Sequence, residues 1–143
     1  MKKRILIVII PVLTLFSLIS VAQTELKDCD SVVFSVAEVG PKLQVSFEKM
    51  EHLLNKKLDL ENIEISNDDE VTIQVLINCN GIDERYTVLR GKDRLLTNRI
   101  IEILKEESKW TPAYQLDQPV NYLFQWKFRI DDSSLHFLNK NDN

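Results

Sequence analysis

The sequence has only three glycines in 143 residues, and this scarcity excludes several classes of enzyme. A loop that cradles phosphates needs several glycines within a few residues, and no such loop can be built here. The chain also lacks a GxSxG nucleophile elbow and an HExxH zinc motif. Its two histidines, His52 and His136, stand far apart and have no metal-ligand spacing. We therefore predict a protein that is not an enzyme and has no metal site and no cofactor.

Cysteine is equally scarce, since the sequence has only Cys29 and Cys79. Two cysteines at this distance cannot form a CxxC redox pair or a four-cysteine zinc site. In an oxidising compartment an even cysteine count favours a disulfide, which here would tie the N-terminal segment to the end of a strand. Two buried free thiols are the alternative, because Cys79 lies on the apolar face of its predicted strand.

A long apolar run is absent except at the N-terminus, where residues 5–19 follow the cations at positions 2–4. Small residues at Ser20-Val21-Ala22 then predict a signal peptide, residues 1–22, that is cleaved before Gln23. The apolar run is shorter than the roughly 20 residues that cross a bilayer, although an uncleaved anchor is the alternative. We predict a periplasmic or secreted protein without stable membrane insertion after cleavage.

The net charge bears on the class of partner. Cleavage would remove three of the 18 cations and none of the 22 acidic residues, so the net charge would change from −4 to −7. Binding to phosphates requires lysine and arginine concentrated on one face, and the sequence shows no basic cluster. We therefore predict no nucleic-acid partner and no docking on anionic lipid.

Hydrophobic periodicity gives the order of the elements. Apolar residues at positions 43, 47, 50, 54 and 58 recur at helical spacing, and a second helix is predicted from Asp93, its N-cap, to about Ser108. Asn80-Gly81 predicts a type I′ hairpin turn between two strands. The strands predicted from alternation are Val71–Cys79, Ile82–Arg90 and Val120–Ile130, and Val32–Val36 could form a short additional strand.

The order helix, strand, strand, helix, strand predicts an α+β fold. A right-handed crossover gives a three-stranded antiparallel sheet in the order 2-1-3 with both helices on one face. The predicted divisions are an N-terminal segment at 23–40, a folded domain at 41–131 and a polar tail at 132–143. In this arrangement the third strand, Val120–Ile130, is an exposed edge.

That edge is the predicted binding site, because free backbone groups can pair with an extended peptide. Trp110, at the end of the second helix, either contacts the partner or covers the open end of the sheet. The predicted partner-binding residues are Asn121, Leu123, Gln125, Lys127, Arg129 and Trp110.

Several segments in this order resemble the C-terminal domain of TonB, which couples inner-membrane energy to outer-membrane receptors in Gram-negative bacteria. The resemblance rests on Ala37–Lys42, on Val71–Ile77 with Asn80-Gly81, on Tyr86–Gly91, on Leu96–Leu104, on Trp110-Thr111-Pro112-Ala113, and on Gln118–Val120 with the aromatic run that ends at Phe128. It implies a partner in the cell envelope, such as a segment of an outer-membrane receptor.

The sequence also departs from that family. It has four prolines and no proline-rich spacer, and Asp59-Leu60-Glu61 stands where the family usually has a tyrosine-proline pair. The fold could therefore be kept without energy coupling. Two functions stay open: a module that captures an extended peptide at a sheet edge, and an accessory envelope protein that uses the same edge to form a homodimer or to dock.

Overall fold

A computed structural model describes residues 26–58, 60, 69–131 and 134–138, and it confirms an α+β architecture with two helices. The predicted signal peptide, residues 1–22, lies outside these ranges. Within them, neither helix is both long and apolar enough to cross a membrane. The elements in chain order are β1 (Val33–Phe34), β2 (Lys42–Leu43), α1 (Phe47–Leu58), β3 (Asp69–Ile77), β4 (Asp83–Arg90), α2 (Arg94–Glu107), β5 (Trp110–Thr111), β6 (Ala113–Gln115), β7 (Gln118–Asp131) and β8 (Ser134–Phe137).

The prediction of a three-stranded sheet in the order 2-1-3 is wrong. The main sheet is mixed and has six strands, with the path β1-β7-β3-β4 and with β6 and β8 also paired to β7, while β2 and β5 form a separate two-stranded sheet. Strand β1 lies within the short additional strand that was allowed at Val32–Val36. The other added strands are only two to four residues long, and alternation did not reveal them.

Strand β7 is consequently not the exposed edge that the sequence predicted. One side pairs with β3 over nine residues. The other side pairs with β6 near its start, with β1 at Asn121–Tyr122, and with β8 at Phe128–Asp131. Strand β8 lies in the segment that the sequence presented as a polar tail.

The core lies on one face of this sheet, against both helices. Strand β8 adds Leu135 and Phe137 to it, and α1 holds that strand because Asn55 exchanges two hydrogen bonds with the backbone of Leu135, at 2.8 and 2.9 Å. Asp93 caps α2 as predicted, accepting from the N–H groups of Leu95 and Leu96. The buried core residues include Met50 and Leu54 of α1, Ile73 and Val75 of β3, Ile100 and Ile103 of α2, and Trp126 and Phe128 of β7.

The hairpin turns differ from the type I′ turn predicted at Asn80-Gly81. Only Gly81 has a positive φ there (76°), and Asn78 accepts from the N–H of Gly81. A β-carbon at position 81 would lie 2.5 Å from the carbonyl oxygen of Trp110, so the position requires glycine. Both central residues of the β6–β7 turn, Leu116 and Asp117, have positive φ instead.

The N-terminal segment is fastened to the end of the sheet. The predicted disulfide between Cys29 and Cys79 is confirmed, with the two Cα atoms 5.6 Å apart. Asn80 adds a second attachment, because its side chain accepts from the N–H of Lys27 and donates to the carbonyl oxygen of the same residue. The segment therefore covers one end of the sheet and then pairs with β7 as β1.

Candidate functional site

Two of the six predicted partner-binding residues, Trp110 and Asn121, make contacts within the folded protein that stabilise it. Trp110 is only 4% exposed and packs against Phe124 and Trp126, with ring centroids 4.9 and 5.4 Å away. Asn121 accepts from the N–H of Cys79 and donates to the carbonyl oxygen of Asp30, so it fixes the disulfide and the N-terminal segment. The structure therefore separates these two side chains from the other four.

The other four predicted residues lie on the sheet face opposite the helices, which we call the open face. The pairing register continues this face across three strands: Gln74 stands opposite both Thr87 and Gln125, and Leu76 stands opposite both Arg85 and Leu123. The open face consists of Glu70, Thr72, Gln74 and Leu76 of β3, Arg85, Thr87 and Arg90 of β4, and Leu123, Gln125, Lys127 and Arg129 of β7.

Two adjoining depressions run across the open face. One, of about 250 Å³, is lined by Gln74, Leu76, Arg85, Thr87 and Leu123. The second, of about 390 Å³, shares Gln74 and Leu123 and extends past β7 to the N-terminal segment at 35–41. The floor is thus apolar where Leu76 meets Leu123, and cations and amides surround it. Such a surface can accept an apolar side chain that is flanked by polar groups.

The open face is basic although the protein as a whole is acidic. Its described side chains include the cations Arg85, Arg90, Lys127 and Arg129 and a single carboxylate, Glu70. Glu70 forms ion pairs with both Arg90 and Arg129, so a single negative charge is shared between two guanidinium groups. The concentration of cations was invisible in the sequence because these residues come from two strands, β4 and β7, that are far apart in the chain.

Among the described strands of the main sheet, β4 is the longest that pairs with one neighbour only: it pairs with β3, whereas the short strands β1, β6 and β8 pair only with β7. It is eight residues long, and apolar side chains are exposed along it and beside it. Val88 is 39% and Leu89 51% exposed, while Leu95, in the first turn of α2, is 82% exposed. Edge strands of soluble proteins are normally protected by charges, proline or a covering element.

The backbone alternation shows which groups of β4 point outward. Leu138 donates its N–H to the carbonyl oxygen of Lys127, so the backbone groups of odd-numbered β7 residues near β8 point toward β8, and those of even-numbered residues point toward β3. The even-numbered β7 residues face odd-numbered residues of β3, so the even-numbered residues of β3 direct their backbone groups toward β4. Their partners there are Arg85, opposite Leu76, and Thr87, opposite Gln74, so the backbone groups of Arg85 and Thr87 point toward β3. Tyr86 and Val88 therefore present their N–H and C=O groups at the outer edge.

Three polar side chains near the start of β4, those of Asp83, Tyr86 and Ser108, form a hydrogen-bond network inside the protein. The Tyr86 hydroxyl donates to the carboxylate of Asp83, which also accepts from the Ser108 hydroxyl at 3.2 Å. Burial, and then the hydrogen bond to Asp83, raises the pKa of Tyr86 well above its usual range, so the phenol keeps its proton. The single proton of the Ser108 hydroxyl is shared between the Asp83 carboxylate and the carbonyl oxygen of Leu104, which lies nearer, at 2.6 Å. The network joins β4 to the end of α2.

The described residues contain no group of three or more histidine, cysteine or acidic side chains that could hold a metal ion. His136 lies between carboxylates of Glu51 and Asp131, at 3.7 and 3.5 Å, beside β8.

Comparison with known proteins yields no relative: no family model, no curated protein and no solved structure matches this chain.

Proposed function

We propose that this protein is a non-enzymatic binding module of the cell envelope that captures an extended segment of a partner protein along β4. The observation that carries the proposal is the outer edge of β4, eight residues long, which pairs on one side only among the described strands and bears exposed Val88 and Leu89. An added strand would satisfy the backbone groups of Tyr86 and Val88 and cover these apolar side chains.

Three features support the envelope as the compartment. The disulfide between Cys29 and Cys79 is typical of proteins in oxidising environments. Residues 1–22 have the pattern of a signal peptide. The sequence resembles TonB C-terminal domains, which suggests a segment of an outer-membrane receptor as the partner. The binding edge proposed here is nevertheless β4, because β6, β1 and β8 pair with the outer side of β7 at residues 118–120, 121–122 and 128–131 and leave no free edge of comparable length there.

Photo-crosslinking in cells tests the proposal. A photo-reactive residue in place of Leu89 should give a crosslinked protein, because that side chain is exposed beside the proposed added strand. The same residue in place of Lys49, exposed on α1, should give none. Adding Val88→Pro should abolish the crosslink because proline removes an outward N–H, which an edge strand tolerates. Val88→Ala, which keeps that N–H, should retain the crosslink.

The masses of the crosslinked products decide between the two functions. A product of one chain plus a different protein supports capture of a partner segment. A product of twice the chain mass supports the accessory function, in which two β4 edges pair in a homodimer. Equal yields from positions 89 and 49, or a yield that Val88→Pro leaves unchanged, would contradict binding at β4.

A further inference from the structure

The charges on the open face specify the chemistry of the segment that binds β4. A strand added at that edge would place alternate side chains on the open face, next to Arg85, Thr87 and Arg90, at the cross-strand distance of roughly 5 Å. Its other side chains would lie beside Val88 and Leu95, which are exposed and apolar. The two rows of the added strand therefore meet different surroundings, one basic and one apolar.

Arg85 is one of the two cations that β4 contributes to the open face. Among the described residues it has no ion pair, and its side chain is exposed at the rim of the depression floored by Leu76 and Leu123. Arg90 shares Glu70 with Arg129, so this cluster retains an excess positive charge. Glu84, the nearest acidic residue of β4, is held by the side-chain amide of Asn78 at 2.6 Å. A partner carboxylate would thus meet the guanidinium group of Arg85, which has no ion pair among the described residues, and a cluster of Arg90, Glu70 and Arg129 that keeps one excess positive charge.

We propose that β4 selects an extended segment in which carboxylate side chains alternate with apolar ones, the carboxylates lying on the open face against Arg85 and Arg90. This inference rests on the proposed function. Guanidinium groups bind carboxylates through charge-assisted, often bidentate hydrogen bonds, which gives both orientation and specificity. The positive field would also accelerate the encounter with such a segment and discriminate against basic segments.

Three ten-residue peptides test the proposal: alternating glutamate and valine, alternating glutamine and valine, and alternating lysine and valine. Fluorescence anisotropy with the mature protein should show the glutamate peptide binding about tenfold more tightly than the glutamine peptide, and the lysine peptide binding most weakly. Raising NaCl from about 50 to about 500 mM should weaken the glutamate peptide severalfold more than the glutamine peptide, because salt screens exposed charges.

Variants of the protein test whether Arg85 and Arg90 cause the preference for the glutamate peptide. Arg85→Gln with Arg90→Gln should remove the preference for glutamate and leave the affinity for the glutamine peptide within about twofold. The control Arg99→Gln with Lys56→Gln removes two exposed cations from the helices and should leave the preference intact. Circular dichroism confirms that each variant is folded.

The outcomes separate this inference from the proposed function. Equal affinity for the glutamate and glutamine peptides, both lost with Val88→Pro, would overturn the selection of carboxylates and leave binding at β4 standing. A glutamate preference that Val88→Pro leaves unchanged would place the carboxylate site elsewhere and contradict both. Binding of none of the peptides, or a preference equally sensitive to the control variant, would also overturn the inference.

Discussion

Replacing Trp126 with alanine is expected to lower the free energy of unfolding by about 3–5 kcal/mol, the largest loss from any single side chain in this core. Trp126 is fully buried on β7, between β3 and β8. Its ring lies 5.2–6.1 Å from those of Trp110, Phe124, Phe128, Phe47 and Phe137, so one side chain joins α1, β5, β7 and β8. Its loss would leave a cavity, because the five surrounding rings are held by different elements and cannot all move in to fill the space.

Two matched variants control this measurement by urea denaturation. Trp126→Phe keeps most of the ring and removes an indole N–H that has no hydrogen-bond acceptor in the described structure, so we expect a loss below about 1.5 kcal/mol. Tyr114→Ala removes a 39% exposed ring and should cost less than about 1 kcal/mol. A loss from Trp126→Ala no larger than that from Tyr114→Ala would contradict the packing described here.

The second large effect is expected from the disulfide. Replacing Cys29 and Cys79 together with alanine should lower the free energy of unfolding by about 2–4 kcal/mol, because the bond closes a loop of 50 residues in the unfolded chain. The wild-type protein in reducing buffer should show a similar loss. Amide exchange should also accelerate at Val33 and Phe34, since the bond helps to hold the segment that pairs with β7.

Asn80→Ala is the control for the disulfide. It breaks the side-chain hydrogen bonds to Lys27 and leaves the covalent link intact, so it should cost no more than about 1–2 kcal/mol and leave β1 protected. A double cysteine variant as stable as the wild type would show that the bond contributes nothing to the folded state.

The long elements could be predicted from sequence because each carries its own periodicity. The apolar face of Val71–Ile77, the helical stripe that includes Leu96 and Ile100, and the alternation from Val120 to Ile130 are all local patterns. The disulfide followed from the cysteine count and the expected compartment, and the structure has it. For the helices and long strands, prediction therefore succeeded where one segment contained the whole signal.

The position of the edge could not be predicted, since it depends on short segments. Strands β1 and β8 have two and four residues, and they cover β7 through backbone pairing that any sequence can provide. The turn type at Asn80-Gly81 was also wrong. The chain there must place Cys79 for the disulfide and bring Gly81 against the carbonyl oxygen of Trp110, and these are tertiary constraints.

The candidate site was predicted in part, since Leu123, Gln125, Lys127 and Arg129 do share one face. Sequence reasoning missed Gln74, Arg85 and Thr87, although the alternation of polar residues along the first hairpin carries a signal for them. What a single sequence could not show is the register, which brings the cations of β4 and β7 to the same face.

Amide hydrogen exchange measured by NMR tests the central claim most directly. With a saturating extended peptide of alternating valine and threonine, we expect exchange to slow at least about tenfold at Tyr86 and Val88, whose N–H groups point outward from β4. Exchange at Arg85 and Thr87 should change little, because these residues already bond to β3. Protection that appears on β7 or β8 while Tyr86 and Val88 stay unprotected would contradict binding along β4.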